Sequence, residues 1–304
     1  MTLSATNGGG TGNAILTITV AVGPPVITSA TTASGTVGAT FSYQIAATNS
    51  PTSYGATGLP TGLSANTSSG LISGAPTSAG TSTVILTATN SSGSGHATLT
   101  LTIGAVVPIS STQVVATAAS ASASTLSLSF PQNTTAGDLI LVAFDYDMNT
   151  TPSSVTDTQN NVFTPIGSQL TSPAGARSRV YYAKSIKGGA DMVTVNLSGN
   201  SAWIELYISE YTGVDTVNPI DAQAGASGGA GAVSSGSATT TATGDVIYGY
   251  CVGDSMCRAG AGFTGRSTFH GNLIEDMTAG NPGSYAATGT ANHGWSMQML
   301  ALKP

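Results

Sequence analysis

The sequence predicts an all-β protein assembled from β-sandwich modules, and three observations carry that prediction. Residues 1–25, MTLSATNGGGTGNAILTITVAVGPP, align without a gap on residues 84–108, VILTATNSSGSGHATLTLTIGAVVP, at an offset of 83. An internal repeat of that length is the mark of a modular array. Apolar and polar residues alternate through many short runs, with Gly, Ser, Asn and Pro punctuating them about every 8 to 12 residues, and no stretch carries a helical period. Charged residues make up 7% of the 304, whereas 40% are hydrophobic. About a quarter charged is usual for globular chains, so the surface must be solvated mainly by hydroxyls and amides, and the alternation argues against disorder.

Taken in order, residues 1–22 read as two strands around a GlyGlyGlyThrGly turn, an orphan hairpin that would close a repeat whose front strands are not seen before it. A second module is expected over 23–107. ProValIleThrSer (25–29) reads as an edge strand, and residues 39–48 alternate with Phe41, Tyr43 and Ile45 on one face. SerTyrGlyAlaThr (53–57), GlyLeuProThrGlyLeuSerAla (58–65) and GlyLeuIleSerGlyAlaPro (70–76) follow, and a hairpin from Thr83 to Ile103 closes the unit. About seven short strands with regular turns are what an Ig-like β-sandwich requires. The GlyLeuProXxxGlyLeu, GlyXxxIleXxxGlyXxxPro and ThrAlaThrAsn segments of this stretch resemble the bacterial Ig-like repeat related to cadherin-like and fibronectin-like modules. That resemblance covers residues 24–103 and implies a spacer or adhesive stalk. Cadherin-like relatives often bind calcium through carboxylates between domains; this copy has none, because no Lys, Arg, Asp or Glu occurs before Asp138.

Beyond Pro108 the repeat ends. Alternating or apolar runs at 125–130, 137–147, 179–184, 191–197, 202–211, 245–251 and 293–302, a hairpin around GlnAsnAsn at 154–166 and a strand in the Ser/Thr run 234–243 give about nine strands. These suffice for one jelly-roll-like β-sandwich over 108–304, diffusely similar to uncharacterised secreted modules. The Gly/Ala/Ser stretch 222–237 reads as a flexible loop.

Thirteen acidic residues against seven basic ones, with no basic cluster, leave almost nothing to drive binding to a nucleic-acid backbone. The longest strongly apolar run, Leu139–Phe144, is far too short for a membrane helix. Cys251 and Cys257 enclose five residues and are expected to form a local disulfide that clamps a loop. Such pairs belong to oxidising settings, outside the cell or at its surface.

Candidate sites built from carboxylates must lie in the last 167 residues. In 202–211 the period of two places Ile204, Leu206 and Ile208 on one face and Trp203, Glu205 and Tyr207 on the other. An aromatic, carboxylate, aromatic row suits a polysaccharide, whose apolar ring faces stack on the aromatics while its hydroxyls bond to the carboxylate. Asp145 and Asp147 point the same way at a strand end, and Asp157 is expected to approach across the next hairpin, an oxygen set suited to Ca²⁺. Glu275 and Asp276 read as a loop pair. GlyAspSerMet (253–256) is similar to the nucleophile block of GDSL-type hydrolases, but neither a strand–helix context nor a late AspXxxXxxHis accompanies it. His96 is a turn residue by the repeat alignment, and His270 and His293 have no metalloprotease context.

The expectation is therefore a non-enzymatic, extracellular structural or adhesive protein without a cofactor, a subunit of a surface filament or stalk. A carbohydrate-binding ancillary module is the alternative. The hairpin residues Leu3, Ala5, Ile15, Leu16, Ile18 and Val20 need a partner surface, either in their own chain or in a neighbouring molecule, where they would build a homo-oligomer or filament.

Overall fold

Period-two patterning and dense turn residues yield strands almost throughout, with the three-residue 3-10 turn Phe269–Gly271 as the one helical element. The computed structural model describes all 304 residues and divides into two units, Met1–Val106 and Val107–Pro304. No helix is long and apolar enough to cross a membrane.

The first unit opens with a hairpin of β1 (Thr2–Asn7) and β2 (Gly10–Ile15). A sandwich follows, made from β3 (Thr32–Thr36), β4 (Phe41–Gln44), β5 (Ser53–Thr57), β6 (Leu63–Ala65), β7 (Leu71–Gly74), β8 (Gly80–Asn90) and β9 (Gly93–Gly104). One sheet runs β3-β9-β8-β5, with β3 and β9 parallel, and the other runs β4-β7-β6. Phe41, Ile45, Ile72, Val84, Leu86, Leu99, Leu101 and Ile103 form the core of this sandwich. Residues 25–29, expected as an edge strand, make only the single bridge Ile27–Ala47.

The second unit holds two double sheets rather than the one expected. Its first half comprises β10 (Ser110–Ala119), β11 (Ala123–Ser129), β12 (Leu139–Tyr146), β13 (Pro152–Asp157), β14 (Thr164–Thr171), β15 (Arg177–Ala183), β16 (Met192–Ser201) and β17 (Ile204–Thr212). These strands form two sheets, β10-β17-β12-β15-β14 and β11-β16-β13. Counted within the half, the first, eighth, third, sixth and fifth strands face the second, seventh and fourth. That is a jelly-roll order with the fifth strand moved to the larger sheet.

The second half comprises β18 (Ile220–Gly228), β19 (Gly231–Ser234), β20 (Ala238–Thr239), β21 (Val246–Gly253), β22 (Cys257–Ala259), β23 (Thr264–Ser267), β24 (Leu273–Thr278), β25 (Ser284–Tyr285), β26 (Thr288–Ala291) and β27 (Trp295–Leu302). The sheets β18-β27-β21-β24-β23 and β19-β26-β22 repeat the order of the first half, and the short pair β20-β25 accompanies them.

The two five-stranded sheets lie face to face. Tyr211 on β17 donates to Asp276 on β24 (2.8 Å), the hydroxyls of Ser178 on β15 and Ser296 on β27 meet at 3.1 Å, and Tyr250 on β21 donates to Asp145 on β12 (2.6 Å). With β20 and β25 set aside, third strand therefore faces third, eighth faces sixth, and sixth faces eighth. A pseudo-two-fold axis parallel to the strands follows from that pairing. Each half keeps its own core, around Phe144 and Ile208 in the first and around Cys251 and Met299 in the second. Leu141, Tyr207, Tyr211, Tyr248 and Tyr250 belong to a third core between the halves.

Two local expectations fail for the same reason of packing. The Gly/Ala/Ser stretch is not a loop: residues 220–228 and 231–234 are strands, and their small side chains leave room for Leu170 over Gly225 and for the Trp295 ring over Gly228. The 154–166 segment is not a hairpin, because β13 pairs with β16 in the small sheet while β14 pairs with β15 in the large one.

Candidate functional site

At the end of the unit where β12 and β21 finish, a pocket of about 310 Å³ opens between the two large sheets. Asp145, Trp203 and Glu205 come from the first half; Val252, Gly253, Asp254, His270 and Asn272 come from the second. Because Asp145 and Glu205 are directly opposed in the β12–β17 ladder, their side chains share one face and start out about 5 Å apart at Cβ.

Asn272 ties the pair together. Its amide nitrogen donates to Asp145 Oδ1 (3.0 Å) and Glu205 Oε2 (2.9 Å), and its orientation is fixed because Oδ1 accepts the Gly253 N–H (3.0 Å). Asp145 is buried and also accepts from the Tyr250 hydroxyl. Burial, reinforced by the neighbouring Glu205 charge, pushes its carboxyl well above the usual carboxylate range. Glu205 is held from several sides: the Tyr207 hydroxyl donates to Oε2 (2.8 Å), and His270 Nδ1 lies 3.1 Å from Oε1.

His270 sits at the rim with φ of 51°, a left-handed backbone uncommon outside glycine, and its ring stacks on Phe269 with centroids 4.1 Å apart. Across the mouth, Asp254 accepts from the Ser172 hydroxyl (2.7 Å), and its backbone N–H bonds to the Gly294 carbonyl. The Cys251–Cys257 disulfide closes the turn that carries Asp254. No Lys or Arg lines the pocket. The arrangement offers a half-exposed indole, fixed acceptors and a histidine to a small, hydroxyl-rich or cationic group.

Trp203 and Glu205 line this pocket, but Tyr207 cannot join them in an open platform. The face carrying Tyr207 is covered by the second half, and its ring is fully buried against Tyr250, with centroids 5.5 Å apart. The expected calcium set does not assemble. Asp147 accepts backbone N–H groups of Ala202 and Asn149, which hold its carboxyl below the usual range, and Asp157 accepts from Asn161. No group of three His, Cys, Asp or Glu side chains is disposed to hold a metal. Glu275 and Asp276 lie in buried strand β24 and not in a loop, with Asp276 bound by Arg266 and Tyr211.

Sequence reasoning missed His270, Asn272 and Asp254 as site residues. One signal pointed there: GlyAspLeuIle at 137–140 recurs as GlyAspValIle at 244–247, an offset of 107 that marks β12 and β21 as equivalent central strands.

Comparison with known families decides the identity of the first sandwich, since residues 24–104 match the family model described as "Putative Ig domain". Residues 24–104 are an Ig domain. No curated protein matches the chain. Among solved structures, it is similar to two proteins of Bacteroides fragilis NCTC 9343, one described as a putative alpha-galactosidase/melibiase and one as a putative alpha-galactosidase. The identities are 29% and 32%, over 27% and 29% of this chain, each with a TM-score of 0.26. The chain spans less than a fifth of those two proteins, 18% and 19% of their lengths. It is also similar to the I-band fragment I67-I69 of titin, at 11% identity over 90% of this chain and 99% of that one, with a TM-score of 0.24.

The Ig domain accounts for its own sequence motif. Gly62 and Gly74 have φ of 93° and 138°. A Cβ on Gly62 would strike the Ala75 carbonyl, and one on Gly74 would strike the Gly62 carbonyl. The two glycines of GlyLeuProThrGlyLeu and LeuIleSerGly thus let β6 and β7 close on each other.

Proposed function

We propose that the chain is an extracellular adhesive module in which the Ig domain serves as spacer and the double jelly roll binds a carbohydrate through the Trp203 pocket. The observation that carries this reading is the placement of one accessible indole beside Glu205, Asp254, His270 and Asn272 around a space of about 310 Å³, enough for a single sugar ring with its hydroxyls. The indole would stack on an apolar ring face, and the Glu205 and Asp254 carboxylates would accept from hydroxyls. Binding without turnover fits Glu205, whose oxygens are already engaged by Tyr207, Asn272 and His270 and leave it a fixed acceptor. An oxidising, extracellular location fits the disulfide beside the pocket.

The test is a titration of the full chain with a panel of soluble oligosaccharides, read by tryptophan fluorescence and calorimetry. Binding that disappears in both Trp203→Ala and Glu205→Gln, at unchanged melting temperature, supports the reading. Binding that survives both substitutions, or no binding to any glycan, overturns it.

A further inference from the structure

The Trp203 pocket holds an uneven supply of hydrogen-bonding groups, because most polar hydrogens on its wall are spent inside the protein. Both amide hydrogens of Asn272 go to Asp145 and Glu205, and the Tyr207 and Tyr250 hydroxyls donate to the same two acids. The acceptors are not used up. Asp145 takes both of its bonds on Oδ1, and Asp254 takes the Ser172 hydroxyl on Oδ1, so Oδ2 of each has no partner. Asp145 is 2% exposed, which makes its open oxygen part of a nearly buried carboxyl in the pocket wall. Beside Asp254 the chain carries Gly294, where any Cβ would crowd Oδ2.

The charge is one-sided as well. Arg177 and Arg179, on the strand next to Asp145, stand opposite Tyr146 and Phe144 and therefore on the other face of the sheet. Their Nη1 atoms donate to the Thr150 and Gly167 carbonyls. Arg266 is paired with Asp276. His270 is the one base on the wall, facing the three acids Asp145, Glu205 and Asp254, and its Nδ1 already meets Glu205 Oε1. Burial first, and the Glu205 charge second, push the Asp145 carboxyl up; a cation placed beside both acids would relieve the second effect.

Building on the carbohydrate function proposed for this pocket, we infer that the sugar it selects is an amino sugar with a free ammonium group, in preference to a neutral hexose or an N-acetylated one. An ammonium brings three hydrogens to donate and no acceptor, the complement of a wall with unpartnered carboxyl oxygens. Its charge is also drawn to the face of an indole, which Trp203 supplies at the same site. A hydroxyl in that position donates once and leaves the charge unbalanced, and an acetylated amine has lost its charge.

The test titrates the full chain with glucosamine, galactosamine and mannosamine at mildly acidic pH, each beside its parent hexose and its N-acetyl form, read by tryptophan fluorescence and calorimetry. At least one amine should bind about tenfold tighter than its parent. That preference should shrink in Asp254→Asn, which keeps an acceptor for Ser172 but removes the charge, and in the unaltered protein as salt rises from about 0.02 to about 0.5 M. Binding that depends on Trp203 but lacks the preference, or that favours the N-acetyl form, overturns the inference and leaves the carbohydrate function standing. A preference that survives both Asp254→Asn and high salt overturns it too. Absence of binding by every sugar, or binding indifferent to Trp203→Ala, overturns the carbohydrate function and the inference together.

Discussion

Tyr250, on the central strand of the second jelly roll, donates its hydroxyl to Asp145 on the central strand of the first, across 2.6 Å in a buried interior. Burial and the nearby Glu205 charge push the acceptor's carboxyl well above the usual carboxylate range, so the folded interior favours its protonated form. Asp145→Asn should therefore be tolerated, with a melting temperature within about 3 °C of the parent. Tyr250→Phe leaves a buried oxygen short of a donor and should cost about 1–3 kcal/mol, several degrees for a unit of this size. Equal losses in the two variants, measured by differential scanning calorimetry, would show that Asp145 is ionised.

Stability of the second unit should fall as pH rises. Burial raises Asp138 to about 6, Asp245 to about 7 and Glu275 to about 8. Each favours its proton more in the folded than in the unfolded chain, where carboxyls titrate near about 4. Their contribution is complete below that unfolded value and is lost as pH climbs from there through about 6 to 8. Asp147, Asp215 and Asp221 act oppositely. Burial opposes their ionisation, but hydrogen bonds from backbone N–H and hydroxyl donors hold them low, and they lose their contribution as pH drops below the normal carboxyl range. Calorimetry should place the maximum near about pH 5, with a clear decline by about pH 8.5 that Asp245→Asn flattens.

The Ig domain should show no such dependence. Apart from His96, Tyr43 and Tyr54, no side chain from 24 to 106 carries a titratable acid or base. Its melting transition should stay flat from about pH 3 to 8, and a drift beyond about 10 °C would contradict this. Trypsin offers a companion check, since the first Lys or Arg in the chain is Arg177.

Trp203 and Tyr207 should separate cleanly under mutation. Trp203→Ala removes a half-exposed ring and should leave the fold within about 1 kcal/mol of the parent. Tyr207→Ala empties a buried site between Tyr250 and Phe269 and should cost about 3–5 kcal/mol. Chemical denaturation of both variants decides the matter; similar losses would make Trp203 a core residue and remove the basis for a sugar-stacking surface.

Loss of the disulfide should affect ligand binding before it affects folding. The bond closes a short turn and contributes roughly 2 kcal/mol on the chain-entropy model. Asp254 rides on that turn. The Cys251→Ser/Cys257→Ser double variant should stay folded at room temperature yet weaken oligosaccharide binding several-fold, and unchanged affinity would detach the turn from the site.

Much of the first unit was legible in the sequence because its sandwich has one wet face per strand. Alternation at Phe41, Tyr43 and Ile45 and the ungapped match of two hairpins locate both the core and the module. The second unit hides its duplication for a physical reason. Strands β12, β21 and β27 are buried on both faces, so their runs carry no alternation to reveal which side meets which. Tyr207 illustrates the result: the period of two put it correctly opposite Leu206, but only the second jelly roll, invisible to local patterning, turned that face from surface to interior. His270 and Asn272 reach the pocket from the same unseen partner.

The pseudo-two-fold relation has an electrostatic corollary. Val252 holds the ladder position in β21 that Asp145 holds in β12, and the residues opposite them are Ser296 and Glu205. In a dimer of identical chains, whatever stands at the axis stands there twice, and an acidic pair would confront its own image as four carboxylates in one dry cleft. Two halves on one polypeptide are free of that rule. One supplies the paired acids, and the other supplies a valine, a serine and the asparagine that bridges them, so a nearly symmetrical scaffold carries an unsymmetrical cleft.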